Sequence, residues 1–532
     1  MTSPPMEISS MGSGFGMRHI VARSARARPA GIRRRVIRRL AATADALPRT
    51  TLLRVTDPRT LAERLVRRSP RRTNLLVAGR TVAVEGSDAV SAELRSLLRA
   101  LGAHLSDADA RADGAVTFVP ADDSILLGRT PLADTVTADE RVDRAGAHMP
   151  VSAGIARRLS RDGVVRGIRI GIAMVLEPKT AQLALLLRDA GAVVSVYAHP
   201  DEIDLDVAEA LRARGMPVTG DPSLSGAAER DAAAAFLRQG LDLLLDDGSH
   251  LIRLAHEEGI TPGLRGAAEE TTSGLTPLRL MAARGELAVP VIAVNDAPMK
   301  TSFDNRYGTG QSCVFAIADV LDGIERTVRD QPAVVIGYGP VGEGVAAHLR
   351  AMGAEVAVAE TDPVRALRAA HDGFRIGPLR DLAPGALVVS ATGAPHTVGA
   401  DVLASAAVVA VAGGVPREVD VDPAVLRPVA PHLDRVGDGA LLVARGGCVN
   451  LAAAEGNPIE IMDLSFAVQL GAVEQLLTAE LPPGLHPFPA EADRAIAHAA
   501  LAARRERIDQ PSTAQREALD DWRSPRYRGA SA

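Results

Sequence analysis

The chain has 532 residues, of which 47% are hydrophobic and 23% charged, and its formal net charge is −5. This fits a soluble globular protein of two or three domains, and the negative charge argues against a nucleic-acid protein held by phosphate contacts. Its two cysteines, Cys313 and Cys448, predict neither a disulfide framework nor a metal site. No uninterrupted apolar run reaches the roughly 20 residues that span a bilayer, so we expect a cytoplasmic protein without membrane contact.

Two segments precede the main body of the chain. Residues 1–60 are rich in Pro and Arg, which predicts a disordered, solvated arm, although a targeting peptide or a nucleic-acid arm would have similar composition. Residues 74–135 predict a small α/β module: a strand in LLVAGRTVAVEG, a helix in SAELRSLLRALGA and a strand in GAVTFVP. The module contains no recognisable set of catalytic residues, and its role stays open.

From about residue 140, strands alternate with amphipathic helices. The strands IRIGIAMVL, VVSVYA, DLLLDDG and PVIAVND and the helix PKTAQLALLLRDAGA predict a parallel sheet covered by helices. Ligands bind beyond the carboxyl ends of such strands. The polar residues Asp246, Asp247, Asn295 and Asp296 stand at such ends and are candidates for a binding site.

The segment VVIGYGPVGEG predicts a dinucleotide site. It places Gly337, Gly339 and Gly342 in GxGxxG spacing between an apolar strand and a helix, where the backbone approaches a pyrophosphate closely. The next strand, EVAVAE, ends at Glu360, 18 residues after Gly342. A carboxylate there accepts hydrogen bonds from the ribose of NAD and repels the extra phosphate of NADP. A glycine-rich turn that binds nothing is the alternative.

Four segments occur in the order GLRGAAEETTSG, VNDAPMKTSFDNRYGTGQS, VVIGYGPVGEG and GCVNLAAAEGNP. Together they resemble the adenosylhomocysteinase family, from about Ala147 to Tyr527. The resemblance implies an α/β protein with two Rossmann-like, doubly wound parallel-sheet domains, preceded by the small extra module. The nucleoside domain would span 140–300 and be completed by about 470–510, the NAD domain 305–468, and a C-terminal tail 511–532.

The resemblance implies a redox-neutral reaction on a purine nucleoside. Bound NAD oxidises the 3′-hydroxyl, a base removes the proton at C4′, the C5′ substituent is eliminated, water adds to the alkene, and the ketone is reduced. Lys300 would handle the proton of the 3′-hydroxyl or of C4′, which requires surroundings that lower its pKa. Asp304 would be its acidic partner, Glu270 would hold the ribose hydroxyls, and Asp247 would lie near the C4′–C5′ bond.

Further residues are implied to bind the cofactor or the base. The residues that would line the nicotinamide half of NAD are Thr271, Thr272, Ser273, Asn305 and Asn450. Arg523 and Tyr527 in the tail would reach the NAD site of a neighbouring subunit, which implies a homo-oligomer, a dimer or a tetramer. The residues in the region of the base would be Glu177, Lys179, Asn457 and Met462. Taken singly, most of these residues also fit structural roles, such as surface pairs and helix starts.

The chain departs from the family at several positions. The family has a His-x-Thr-x-Glu-Thr stretch after the first core strand, where this chain has Val175 for the histidine and Lys179 for the base-recognising acid. A second family histidine corresponds to Gly414, and an acid after the DDGG stretch corresponds to His250. Base recognition therefore differs from adenine unless Glu177 supplies an acceptor, and the hydrolytic half of the reaction is weakened.

These departures predict an NAD-dependent lyase or dehydratase. It would oxidise a nucleoside at C3′ and eliminate the C5′ substituent, as in the biosynthesis of 4′,5′-unsaturated nucleoside antibiotics. One alternative is an adenosylhomocysteinase that hydrolyses S-adenosylhomocysteine to adenosine and homocysteine. Another alternative is a non-catalytic NAD-binding regulator. A simple hydroxyacid dehydrogenase with a similar Rossmann domain is disfavoured by the segment EETTSG.

Overall fold

The computed structural model describes residues 57–106, 115–133 and 135–523. The arm predicted over residues 1–60 therefore lies outside the described residues up to Thr56. The last residues of that range belong to a helix that the sequence analysis did not predict, α1, Pro58–Thr73. Asp57 caps this helix, because its carboxylate accepts a hydrogen bond from the backbone N–H of Thr60.

The described residues form helices and strands in close alternation. The strands are β1 Thr81–Val84, β2 His104–Leu105, β3 Val116–Val119, β4 Ser124–Leu127, β5 Thr130–Pro131, β6 Arg169–Ala173, β7 Val193–Tyr197, β8 Val218–Thr219, β9 Leu243–Asp246, β10 Gly266–Glu269, β11 Pro290–Ala293, β12 Ala333–Ile336, β13 Val356–Ala359, β14 Arg375–Ile376, β15 Leu387–Ser390, β16 Val408–Val411, β17 Leu426–Ala430, β18 Leu433–Val436, β19 Leu441–Val443 and β20 Gly484–Pro487.

The helices after α1 are α2 Ala89–Ala100, α3 Ala138–Ala147, α4 Pro150–Asp162, α5 Pro178–Asp189, α6 Leu205–Ala213, α7 Ala227–Leu237, α8 His250–Glu257, α9 Thr272–Arg284, α10 Pro298–Lys300, α11 Thr309–Asp322, α12 Pro340–Ala351, α13 Pro363–His371, α14 Leu379–Leu382, α15 Ala400–Ser405, α16 Val449–Ala452, α17 Ile459–Thr478, α18 Ala490–Ala503 and α19 Thr513–Asp520. A π-helix, Thr301–Gly308, joins α10 to α11.

The N-terminal module is a five-stranded sheet in the order β2-β1-β3-β4-β5. The sequence predicts a strand across residues 75–86, but only the segment β1 pairs with neighbouring strands. The residues before β1 do not extend it, because the chain turns at Gly79 with a φ of +70°. Helix α1 holds the module to α11: Arg64 and Arg67 form ion pairs of 2.7 Å with Asp322 and Asp319. The module is thus attached to the helix that follows the π-helix.

The other two sheets carry the main body of the chain. A seven-stranded sheet has the order β20-β11-β10-β9-β6-β7-β8, with every neighbouring pair parallel. An eight-stranded sheet has the order β14-β13-β12-β15-β16-β19-β18-β17, parallel as far as β19 and antiparallel beyond it. The predicted α/β class with Rossmann-like parallel sheets is confirmed.

Small aliphatic residues form the core of both sheets. All four residues of β12 and of β16 are buried, as expected of parallel strands that are covered on both faces. The sequence analysis missed β10, the buried central strand Gly266–Glu269, because its sequence GAAE lacks the β-branched residues that mark a strand. This strand delivers Glu269 and Glu270 to the carboxyl edge of the sheet, beside the end of β9.

Candidate active site

A cavity of about 230 Å³ lies beyond the carboxyl ends of β6, β9 and β10 and faces the segment that follows β16. It is where a parallel sheet presents its ligand site. The predicted site residues that line it are Glu177, Lys179, Asp247, Glu270, Thr271, Thr272, Ser273, Lys300, Asp304, Asn305, Asn450, Asn457 and Met462. The glycines of the dinucleotide motif lie apart from this set, at the end of β12.

Lys300 ends the short helix α10, directly before the π-helix, a form of helix frequent at functional sites. Its Nζ lies 2.7 Å from Asp304 Oδ2 and donates to Asn305 Oδ1 at 3.0 Å and to Asn295 Oδ1 at 3.3 Å. Burial lowers the pKa of Lys300, but the carboxylates of Asp304 and Glu270 outweigh burial, and the net pKa is raised. Lys300 is therefore an ammonium group at neutral pH, contrary to the lowered pKa expected from the sequence.

Asp304 is held from its other side by Asn457. The Asn457 Nδ2 donates to Asp304 Oδ1 at 2.6 Å and to Thr309 Oγ1 at 3.1 Å. The Asn457 Oδ1 accepts from Asn450 Nδ2 at 3.0 Å and from Ser312 Oγ at 2.8 Å. The resemblance predicts Asn457 in the region of the base, and the structure gives it a further contact, with the carboxylate that pairs with Lys300.

Glu270 is buried and has a hydrogen-bond donor on each carboxylate oxygen. Ser465 Oγ donates to Oε1, and Gln469 Nε2 donates to Oε2 at 2.6 Å. Burial raises the pKa of Glu270 to about 7, although Lys300 opposes this shift. The sequence analysis missed Ser465 and Gln469. Two polar residues four positions apart in the largely apolar helix α17 were the signal that could have identified them.

Two acidic residues at the end of β9 have strongly shifted pKa values. Burial raises the pKa of Asp247 to about 7, with a further contribution from the nearby carboxylate of Glu202, against the effect of Lys300. Burial also raises the pKa of Asp246 to about 8. Asp246 is fully buried and accepts the backbone N–H of Ile252 at 2.7 Å, so it supports the site while Asp247 lines the cavity.

Glu269 has a structural role. Its carboxylate accepts the backbone N–H groups of Gly248 at 2.9 Å, Ser249 at 2.7 Å and Thr271 at 2.9 Å. Burial raises its pKa well above the ordinary value. Glu269 therefore connects the turn after Asp247 to the start of helix α9.

The hydroxyl and amide groups at the start of α9 form a second polar patch. Thr272 Oγ1 and Asn305 Nδ2 both donate to Asn295 Oδ1, at 3.1 and 3.2 Å, and Ser273 Oγ donates to Thr271 Oγ1 at 3.2 Å. The sequence analysis placed Asn295 at a strand end as a candidate for a binding site, without naming its partners. The structure makes it the shared acceptor of Lys300, Thr272 and Asn305.

Glu177 and Lys179 lie at the start of α5, at another part of the cavity wall. Glu177 caps the helix by accepting the backbone N–H of Thr180 at 3.0 Å. Lys179 is only 1% exposed, and its Nζ lies 2.6 Å from Glu177 Oε2 and donates to the Glu455 backbone carbonyl at 2.6 Å. This part of the cavity therefore presents a buried ammonium group.

Val175 and Gly414 stand at the two positions where the family has histidines, and both line the cavity. A Cβ at Gly414 would lie 3.5 Å from the Cys448 Sγ, which donates to Asn450 Oδ1 at 2.9 Å. Burial raises the pKa of Cys448 to about 12, so the thiol keeps its proton. His250 lies on the wall of a neighbouring cavity that also contains Asp247.

The dinucleotide motif has the geometry that NAD requires. Gly337 has a φ of +87°, and a Cβ at Gly342 would lie 2.0 Å from the Gly337 carbonyl oxygen, so the tight turn depends on glycine. A Cβ at Gly339 would meet only Arg365 Nη1, at 3.8 Å, which leaves room for a pyrophosphate before helix α12. Burial raises the pKa of Glu360, but hydrogen bonds from backbone N–H groups outweigh burial, and the net pKa is lowered. Glu360 is therefore a carboxylate that can accept hydrogen bonds from ribose hydroxyls.

Arg523 is exposed and donates from Nε to Asp521 Oδ1 at 2.8 Å, and Tyr527 lies outside the described residues. Within residues 57–106, 115–133 and 135–523, no group of three His, Cys, Asp or Glu side chains is placed to hold a metal ion. Over the same part of the chain, no helix is long and apolar enough to cross a membrane.

Comparison with known proteins gives matches along most of the chain. The family model for the NAD-binding domain of S-adenosyl-L-homocysteine hydrolase matches residues 305–456. The chain is 36% identical over 404 residues to the adenosylhomocysteinase of Thermotoga maritima, a match that covers 73% of this chain and 99% of that protein. It is 36% identical over 401 residues to the adenosylhomocysteinase of Archaeoglobus fulgidus, with coverages of 72% and 98%.

A relative whose name gives a different substrate matches at a similar level of identity. The chain is 35% identical over 407 residues to the S-inosyl-L-homocysteine hydrolase of Methanopyrus kandleri, covering 72% of this chain and 94% of that protein. The predicted resemblance and the predicted cofactor, NAD, are confirmed by these matches. The chain belongs to the adenosylhomocysteinase family of NAD-binding enzymes.

Proposed function

We propose that the protein cleaves the C5′–S bond of an S-nucleosyl-homocysteine by redox-neutral chemistry and releases homocysteine and a nucleoside. The observation that carries this proposal is the arrangement of Lys300, Asp304, Glu270 and Asp247 around one cavity. Relatives that match over nearly their whole length bear the names of hydrolases of this class. The hydrolase therefore takes precedence over the lyase that the missing histidines suggest.

The side chains divide the work according to their charge. NAD, held by the turn of Gly337, Gly339 and Gly342 and by Glu360, would supply reversible hydride transfer at C3′. Glu270, held by Ser465 and Gln469, would accept hydrogen bonds from the ribose hydroxyls and take up the 3′-hydroxyl proton as C3′ is oxidised, which its pKa of about 7 permits. The Lys300 ammonium would donate to the 3′-oxygen and stabilise negative charge there after C4′ loses its proton.

Asp247 is the group best suited to move a proton near C4′ and C5′. Its pKa of about 7 lets it exist in both protonation states near neutral pH, which is the condition for efficient general acid–base catalysis. Lys300, with its raised pKa, stays protonated in the same range. The two residues thus have complementary roles in this proposal, one as a proton carrier and the other as a fixed positive charge.

The test is a product analysis of the NAD-loaded enzyme with S-adenosyl- and S-inosyl-homocysteine in deuterated water. We expect equimolar thiol and nucleoside, deuterium at C4′ and no net NADH. The variant Lys300→Ala should lose ~10²–10³-fold in turnover, the range for removal of one group that stabilises developing negative charge. As a matched control, Lys179→Ala removes the other buried lysine of the cavity and should retain C4′ exchange. Absence of both thiol release and C4′ exchange would overturn the proposal.

A second candidate is elimination without hydration, as in a 4′,5′-dehydratase. It is favoured by Val175 and Gly414, which bring no proton donor to the cavity at the two positions where the family has histidines. The same incubation distinguishes it: a 5′-hydroxylated nucleoside would lose one water, and the 4′,5′-unsaturated product would accumulate. Accumulation of that product without thiol release would replace the hydrolase proposal.

We also propose that the protein is a homo-oligomer. Leu519 and Trp522, close to the end of the described chain, are 81% and 91% exposed. Large apolar side chains with such exposure fit a surface that a neighbouring subunit covers. Sedimentation equilibrium of the wild type and of a Leu519→Ser, Trp522→Ser variant tests this proposal. A monomeric wild type would contradict it.

A further inference from the structure

A second cavity, of about 270 Å³, adjoins the active-site cavity. Both are lined by Met174, Glu202 and Asp247, so the two spaces meet at the end of β9. The second cavity continues between α7 and α8, away from the NAD motif. A C5′ substituent of a nucleoside in the active-site cavity that passes Asp247 would therefore enter the second cavity.

Arg253, in helix α8, brings a positive charge to this cavity. The side chain is half-buried, and it donates from Nε to the Ser249 carbonyl at 3.1 Å and from Nη2 to His250 Nδ1 at 3.3 Å. Among the residues that the structure describes, no carboxylate forms an ion pair with Arg253. A partly buried guanidinium with free N–H groups is a preferred binding group for a planar carboxylate.

The neighbouring charges of the cavity differ from Arg253 because they are paired. Arg230 forms ion pairs with Glu257 at 3.0 Å and with Glu258 at 2.8 Å. His199 Nε2 lies 2.8 Å from Glu229 Oε1. These pairs leave Arg253 as the cation best able to bind an incoming anion among the described residues of this wall.

Glu202 is the corresponding negative group at the junction of the two cavities. Within the described part of the chain its carboxylate accepts no hydrogen bond from a side chain or a backbone N–H group. Glu202 is exposed, and its charge raises the pKa of Asp247, which places the two carboxyl groups close together. An ammonium group bound here would pair with a carboxylate that has no cation beside it among the described residues.

We propose that this second cavity binds the α-amino-acid end of the leaving group, with Arg253 on its carboxylate and Glu202 on its ammonium group. The inference rests on the proposed function and names the part of the substrate that the protein selects. A cation and an anion that form no ion pair with any described residue, in one cavity beside Asp247, match the two charges of a zwitterion. A 5′-hydroxyl or an alkyl thioether would leave both groups unsatisfied.

The test compares kcat/KM for S-inosyl-homocysteine and for 5′-S-butyl-5′-thioinosine, which lacks both charged groups. We expect the wild type to prefer the amino-acid thioether by about 100-fold, as the loss of hydrogen bonds to charged groups implies. Arg253→Ala and Glu202→Gln should each reduce this preference by about 10-fold or more, and Arg253→Lys should reduce it less. Arg161→Ala, at an exposed arginine paired with Asp162, is the control and should leave the preference unchanged.

Two results would overturn the inference while leaving the proposed function intact. One is a wild type that cleaves both thioethers equally well, and the other is an Arg253→Ala variant that loses activity equally on both. A wild type that cleaves neither thioether contradicts the proposed function instead. The cavity is then tested by calorimetric titration with free homocysteine. Binding to the wild type and not to folded Arg253→Ala supports the inference, and equal or absent binding overturns it.

Discussion

Asn457 donates a hydrogen bond of 2.6 Å to Oδ1 of Asp304, while Lys300 lies 2.7 Å from Oδ2 of the same carboxylate. Both oxygens of Asp304 are therefore engaged, one by a neutral amide and the other by an ammonium group. Because the amide carries no charge, it orients the carboxylate without weakening the attraction between Asp304 and Lys300. Asn457 is thus a positioning residue for the pair.

Replacement of Asn457 should affect the oxidation step more than substrate binding. Asn457→Ala removes the hydrogen bond to Asp304, and we expect kcat to fall about 10-fold, the equivalent of one hydrogen bond to a charged group. Asn457→Asp places a second carboxylate 2.6 Å from Asp304, and the two like charges repel each other. This variant should therefore lower kcat by more than Asn457→Ala does. Single-turnover formation of NADH, followed by absorbance, measures the step. Gln239→Ala, at an exposed position, is the control, and a wild-type rate in Asn457→Asp would contradict the assigned role.

The pH profile of kcat/KM should contain two ionisations near neutral pH. Burial raises the pKa of both Glu270 and Asp247 to about 7, and both act as carboxylates in the proposed reaction. The logarithm of kcat/KM should therefore rise with a slope of about two below pH 7 and become level above it. Glu270→Gln should lower the plateau and reduce the slope to about one, since Asp247 still titrates. A slope unchanged by Glu270→Gln would show that Glu270 does not need to ionise.

Lys179 should select the base. Its ammonium group donates hydrogen bonds and accepts none, and two of its three N–H groups contact Glu177 and the Glu455 carbonyl. The remaining N–H group suits a base with an oxo group better than one with an amino group. We expect a preference of about 10-fold for S-inosyl- over S-adenosyl-homocysteine, measured by kcat/KM.

A double variant separates Lys179 from the carboxylate that it neutralises. Lys179→Met alone leaves Glu177 without its cation, so Lys179→Met combined with Glu177→Gln is the cleaner test. The double variant should lose the preference between the two bases while keeping C4′ exchange. A wild type that prefers the adenosyl substrate would indicate that Glu177 supplies the acceptor.

The sequence was sufficient for the features that depend on local order. The alternation of strands and helices predicted the parallel sheets, and the glycine spacing with Glu360 predicted the dinucleotide motif, because both patterns are set by residues within about 25 positions. The family resemblance also predicted the contact between Lys300 and Asp304. Their pairing at 2.7 Å through a π-helix rather than an α-helix shows how little this prediction depended on the exact helix type.

The features that the sequence did not predict depend on contacts between distant segments. Ser465 and Glu270 are 195 residues apart, and Asn457 and Asp304 are 153 apart, so no local pattern indicates these hydrogen bonds. The raised pKa of Lys300 has the same origin. Pairing with Asp304 could be expected, but the added effect of Glu270 requires knowing that β10 ends beside the π-helix.

The buried carboxyl of Asp246 should make stability depend on pH. Its pKa is raised from 3.8 to about 8 in the folded protein, so between these values the folded state binds a proton that the unfolded state has released. The free energy of unfolding should therefore fall as pH rises from about 4 to about 8, by at most ~1.4 kcal/mol per pH unit for this one group. Below about pH 4 both states hold the proton, and this contribution is constant.

Asp246→Asn isolates this contribution, because asparagine has a similar shape and does not titrate. Urea unfolding of the wild type and the variant, repeated across the pH range from about 4 to about 8, gives the difference in slope. We expect the variant to lose less stability than the wild type as pH rises, even if its stability near pH 4 is lower through the changed contact with Ile252. Parallel curves for the two proteins would mean that Asp246 ionises in the folded state at its ordinary pKa. The carboxyl edge of β9 would then be less shielded from water than its burial indicates, and the raised pKa assigned to Asp247 would fail with it.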